Sequence, residues 1–105
     1  MLINFDTVMK NLNGSEITEN DKPVAMKDFV VNALLSIQGE PNLAAQEKFE
    51  RGLLATKVYD GGDLELTVEE IATVKKTIGL YYPPLIVAQI YKHIESDAPV
   101  KKLKK

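Results

Sequence analysis

Five carboxylates between positions 60 and 70 and the single histidine at 93 are the side chains whose types could do chemistry. Asp60, Asp63, Glu65, Glu69 and Glu70 offer the oxygen ligands that a hard cation takes. A calcium loop of the EF-hand kind, however, needs side-chain oxygens at its third and fifth positions. Counted from Asp60 those positions are Gly62 and Leu64, so the pattern fails. A solvated turn followed by a helix cap accounts for the same residues. His93 has neither a second histidine nor a cysteine to complete a zinc set, and no neighbour in sequence completes a catalytic triad. It falls near a helix C-terminus, where a cation is favoured, and a structural role is expected. Gly61-Gly62 lacks the spacing and the lysine of a phosphate-binding loop. Asn13-Gly14-Ser15 matches a glycosylation acceptor in form only, since no secretion signal accompanies it. Enzymatic activity, cofactors and metals are therefore not expected.

Composition points the same way. The chain has 105 residues, 45% hydrophobic and 27% charged, which suits a single domain with one core. Without cysteine there can be no disulfide, thiol catalysis or cysteine–zinc site. The first residues, MLINFDTVMKNLNG, lack the basic region and apolar core of a signal peptide, so a cytoplasmic location is expected. Net charge is −2 but unevenly spread. Removing the four lysines of the final KKLKK leaves nine basic residues against 15 acidic ones, a body of about −6. An acidic body repels phosphates, so nucleic-acid binding would have to act through Lys101, Lys102, Lys104 and Lys105.

The elements that must carry these residues read as a mostly helical α+β domain over residues 1–97, followed by a flexible basic tail at 98–105. Ile3 and Phe5 alternate with polar neighbours, predicting a strand over Leu2–Asp6. Asn13-Gly14 suits a turn, and Lys22–Met26 is the expected returning strand, an edge strand because Pro23 has no amide to give. Four helices follow. The first starts near Met26, buries Phe29, Val30, Ala33, Leu34 and Ile37, and stops at Gly39 and Pro41. The second is capped by Asn42 and runs to Val58, with Phe49, Leu53, Leu54 and Val58 inward and Gln46, Glu47, Lys48, Glu50 and Arg51 wet. Gly52 in its interior could mark close approach of another backbone or simple tolerance. After Tyr59–Asp63 and a short strand at Leu64–Leu66, Thr67 and Glu70 form a capping box. The third helix, Val68–Ile78, is expected to bury Val68, Ile71, Ala72 and Ile78, with Val74 at its margin, and to end at Gly79.

Pro83-Pro84 opens the fourth helix, Pro84–Ile94. Its apolar residues cover more than the stripe one packed face requires, yet it is too short to span a bilayer, and no membrane insertion is expected. Tyr81, Tyr82, Leu85, Ile86, Ile90 and Tyr91 are the candidate interface for a protein partner or a second copy. A helix-turn-helix is disfavoured, because the N-terminus of this helix offers Leu85, Ile86 and Val87 where a recognition helix needs polar and basic groups.

The segments INFDTVMKNLNG, MKDFVVNALLS, LELTVEEIATVKKTIG and YYPPLIVAQIYKHIE together resemble small proteins encoded by tailed bacteriophages and prophages. The resemblance implies a protein of the infected bacterial cytoplasm, or one associated with the virion, and carries no site residue with it. The expectation is a non-enzymatic protein–protein interaction module, an assembly adaptor or an inhibitor of a host protein. The alternative is a nucleic-acid-associated regulator using the lysine tail.

Overall fold

A computed structural model describes residues 2–36 and 38–96. Its elements are β1 (Leu2–Asn4), β2 (Thr18–Glu19), β3 (Lys22–Pro23), α1 (Met26–Leu35), α2 (Ala45–Asp60), β4 (Asp63–Glu65), α3 (Val68–Tyr81) and α4 (Pro84–Ser96). The α+β, mostly helical class and the small N-terminal hairpin are as expected; the pairing of the strands is not. β1 pairs antiparallel with β4, Ile3 opposite Leu64, rather than with the segment before α1. Both of those side chains enter the core, so one register buries an apolar residue from each strand. Polar side chains fix it: Asn4 Nδ2 donates to Asp63 Oδ1 at 3.1 Å, and the Asp6 carboxylate accepts the Gly62 amide at 3.0 Å.

The hairpin instead joins β2 to β3 through Asn20 and Asp21, whose φ angles of 54° and 65° are the left-handed values a two-residue turn demands. Asn13-Gly14 makes a separate turn, with Gly14 at φ 91° and its amide donating to Asn11 O. Backbone bonds then run from Met9 N to Val24 O, Val24 N to Ile17 O and Ile17 N to Met9 O, gathering three passes of chain beneath α1. Pro23 does sit on an edge.

α1 is the central helix, packed against both α2 and α3. Ala25 has no side chain to cap it, so the exposed amides at its start find other partners. Met26 N donates to Thr7 O, Lys27 N to Phe5 O, and Asp28 reaches back to the Ala25 amide at 3.3 Å. The helix ends at Leu35, short of Gly39, with Ser36 Oγ donating to Asn32 O at 2.7 Å. Ile37, expected on its inner face, lies outside the described residues.

α2 begins at Ala45, and Ala44 rather than Asn42 occupies the cap position. Its inward face is Arg51, Leu54, Ala55 and Val58, whereas Phe49 and Leu53 stand 60% and 56% exposed. The expected face was thus turned away from Arg51, which belongs inside. A Cβ at Gly52 would meet nothing within 4 Å, so no backbone approaches closely there.

α3 has the expected Thr67–Glu70 capping box, with bonds of 3.0 and 2.9 Å. It continues through Gly79 to Tyr81. Glycine is wanted there for space: a Cβ would lie 3.1 Å from the Tyr91 hydroxyl of α4. Val74, Thr77 and Ile78 are buried, while Val68 is 81% exposed and Ala72 also faces out. Thr77 tolerates full burial because its hydroxyl donates to carbonyls of its own helix, Thr73 O and Val74 O. α4 packs on α3 and buries Ile86, Ile90 and Ile94, one residue per turn.

Candidate functional site

The fourth helix does not hold surplus apolar surface. Ile86 and Ile90 are 6% and 0% exposed and belong to the core, which removes both from the expected interface. Tyr81, Tyr82, Leu85 and Tyr91 are half-buried, and the three tyrosines are engaged within the chain. Tyr81 Oη accepts the Gly39 amide at 3.3 Å. Tyr82 meets Phe29 edge-on with centroids 5.1 Å apart, and burial pushes its hydroxyl pKa up. Tyr91 Oη donates to Lys75 O at 2.7 Å, while the Lys75 ammonium lies 5.4 Å from the ring centroid. Lys101, Lys102, Lys104 and Lys105 lie outside the described residues.

His93 donates through Nε2 to Asn4 O at 2.6 Å, and its ring lies 6.0 Å from that of Phe5. It joins α4 to β1. Gln89 joins α4 to the segment after β1 through two bonds to the Lys10 backbone. Among the described residues, no group of three or more His, Asp or Glu side chains is placed to hold a metal ion.

Arg51, expected on the wet side of α2, is a buried charge. Its side chain is 2% exposed and bidentate on Glu40, at 2.7 and 3.0 Å, with Glu47 at 3.3 Å. Lys76 of α3 meets Glu40 Oε2 at 3.2 Å, the oxygen that Arg51 Nη2 also bonds, so the α1–α2 connection clamps α2 to α3. The guanidinium bonded to Glu40 holds that carboxyl down to about 2, and Lys76 adds to the effect. Among the described residues Arg51 Nε finds no hydrogen-bond partner, part of what the burial costs. A signal did exist, because 51, 54, 55 and 58 continue one helical stripe and Glu47 precedes Arg51 by one turn.

α2 and α3 both rest on α1, and residues of the two helices line an open groove of about 480 Å³. Leu54 and Arg51 lie at its base and Leu53 on its rim. Carboxylates line both walls: Glu47 and Glu50 on α2, Glu69 and Glu70 on α3, with Thr73 beside them. Glu47 is bound to Arg51, and Glu70 is occupied by its cap and by Lys57 at 3.3 Å. The Thr67 backbone bond, reinforced by Lys57, lowers the Glu70 pKa. Lys57 also donates to Glu65 O at 2.6 Å. Glu50 and Glu69 have no ion-pair partner among the described residues. Phe49, one helical turn before Leu53, and Val68, next to Glu69, are exposed but are not among the groove's lining residues. A second hollow, of about 200 Å³ beside Ile17, Val24 and Phe29, is less than half as large.

The groove offers apolar carbon beside Glu50, which accepts the Gln46 amide at 3.2 Å, and Glu69, two carboxylates without a counter-charge among the described residues, a combination that can hold a cationic side chain on a greasy stem. No family model, curated protein or solved structure matches this chain. No helix among the described residues is long and apolar enough to cross a membrane.

Proposed function

We propose that this chain is a non-enzymatic protein-interaction module that receives a basic, leucine- or valine-bearing segment of a partner protein in the α2–α3 groove. The observation that carries the reading is the pairing of Leu53 and Leu54 with Glu50 and Glu69, two carboxylates without a counter-charge among the described residues. Leucine or valine side chains would cover the two leucines, and lysine or arginine would meet the two glutamates. The resemblance to small proteins of tailed bacteriophages supports an assembly adaptor, or an inhibitor of a host protein, in the cytoplasm of an infected bacterium. Helix α4 supports the groove from behind α3 and is not itself the contact surface.

The test is a fluorescence-anisotropy titration with a labelled peptide of alternating leucine and lysine pairs. Saturable binding that weakens with salt is expected, falling about tenfold in a Glu50→Lys, Glu69→Lys variant, equivalent to about 1.4 kcal/mol. Equal affinity of the native and doubly substituted chains would remove the groove from the reading.

A further inference from the structure

We propose that Asn13 is a site of self-modification, at which the Gly14 backbone nitrogen attacks the Asn13 side-chain amide, ammonia leaves, and aspartate or isoaspartate remains in the loop between β1 and β2. The reaction is independent of the α2–α3 groove. It rests on which residue follows Asn13, on what surrounds its side-chain oxygen, and on where the loop sits.

Of the asparagines in the chain, Asn13 is the one followed by glycine. A side chain on the following residue crowds an attacking amide, and glycine has none. The approach is open in the fold as well, since a Cβ at Gly14 would meet nothing within 4 Å. Residues 11–16 are all exposed, so water and base reach the loop.

The Asn13 side chain is also held in an activating setting. Its Oδ1 accepts the Ser15 amide at 3.0 Å and the Ser15 hydroxyl at 2.7 Å. Asn11 Nδ2 donates to that same hydroxyl oxygen at 3.0 Å, which leaves the hydroxyl proton for Asn13. Attack at Cγ turns a planar amide into a tetrahedral carbon and gathers negative charge on Oδ1. Two donors already at hydrogen-bond distance from that oxygen stabilise the charge as it forms. One contact works against the reaction: the Gly14 amide donates to Asn11 O at 3.0 Å. Attack must wait for that exposed turn bond to open, and exposed turns are among the first places a fold opens. The turn bond therefore paces the reaction that the Ser15 donors promote.

The atoms balance with water as the one co-reactant. Base takes the Gly14 amide proton, the nitrogen bonds to Cγ, and Nδ2 picks up a proton and departs as ammonia. The five-membered imide that remains is opened by water at either carbonyl. Opening at Cγ gives aspartate, and opening at the backbone carbonyl gives isoaspartate. Either product adds one negative charge at neutral pH. Isoaspartate also lengthens the backbone by one carbon and removes the acceptor that Ser15 now uses. The loop carries Leu12, 92% exposed, and begins at Lys10, whose backbone Gln89 of α4 holds. Conversion thus changes the charge and the display of Leu12 as the chain ages.

The test incubates the full chain at about pH 8, where base is available, in water enriched in heavy oxygen. Tandem mass spectrometry of a digest then reads each asparagine, and a methyltransferase specific for isoaspartate counts that product. Conversion at Asn13 is expected to run at least about tenfold faster than at Asn11 or Asn20, with one heavy oxygen gained per converted chain. Ser15→Ala is expected to slow it about fivefold, the worth of one hydrogen bond, while Ser15→Thr, which restores a hydroxyl, keeps the native rate. Both variants lie in an exposed loop, and circular dichroism identical to that of the native chain is expected for each. Conversion at Asn13 no faster than at Asn11 and Asn20 overturns the site. A Ser15→Ala chain that converts as fast as the native one, or faster, overturns the part given to the donors on Oδ1.

Discussion

At the scale of single residues, Glu40 and Arg51 carry the most consequential electrostatics in the fold. The carboxyl of Glu40 titrates at about 2 in the folded chain against an ordinary value of 4.5, chiefly because Arg51 hydrogen-bonds to its charged form. A depressed carboxylate contributes stability that is fully present above the unfolded value and is lost as pH falls from about 4.5 toward 2. Glu40→Gln is therefore expected to cost about 2–3 kcal/mol at neutral pH, since it leaves a buried guanidinium with Glu47 as its remaining carboxylate. It should also flatten the acid limb of the stability curve without abolishing it, because the Glu70 carboxyl is lowered in the same sense. Urea midpoints at pH 7, 4 and 3 measure both effects, and equal acid slopes in the two proteins would deny Glu40 its role. Arginine is so seldom buried that charge alone placed Arg51 outside, although its spacing with Leu54, Ala55 and Val58 pointed inward. Assigning Arg51 to water turns Phe49 and Leu53 inward and hides the groove that Leu53 lines.

Among the elements, the α3–α4 pair shows a glycine selected for room rather than for a turn. Gly79 lies within α3, where alanine would ordinarily add about 1 kcal/mol of helix stability. Its added Cβ would sit 3.1 Å from the Tyr91 hydroxyl, which is held by its bond to Lys75 O. The two substitutions should be coupled. Gly79→Ala is expected to be more favourable in a Tyr91→Phe background than in the native chain by at least about 0.5 kcal/mol, read from chemical denaturation of the four proteins. Additive effects would mean that the helices yield without strain and that the glycine serves no spacing role. From sequence, Gly79 looked like a helix stop, because an interior glycine and a terminal one carry the same propensity signal. The start of the same helix was legible, since Thr67 and Glu70 satisfy each other within four residues and need nothing from the rest of the chain.

Across the whole molecule, the two ends of the described chain are joined through the core. β1 is paired with β4 on one side and bonded to α4 by His93 on the other, while Gln89 fastens α4 to Lys10. Contacts between residues so far apart leave no local pattern to read, which is why the N-terminal strand was assigned the nearer partner. They have a consequence for unfolding. Ile3, Phe5 and Met9 from the first segment share one cluster with Val30 and Leu34 of α1, Val58 of α2, Ile78 of α3 and Ile90 of α4. Losing any of these elements exposes apolar surface on the others, so the chain should unfold as a single cooperative unit. Tyrosine fluorescence, free of tryptophan and drawn mainly from Tyr81, Tyr82 and Tyr91 between α1, α3 and α4, follows one part of the molecule. Far-ultraviolet circular dichroism follows all four helices. The two urea transitions are expected to superimpose, with a common midpoint and an m-value of about 1–2 kcal/mol/M. A fluorescence transition that precedes the loss of helical signal would show the α3–α4 pair opening by itself, and would mean that the bonds from Asn4 and Lys10 do not bind the C-terminal helix into the common core.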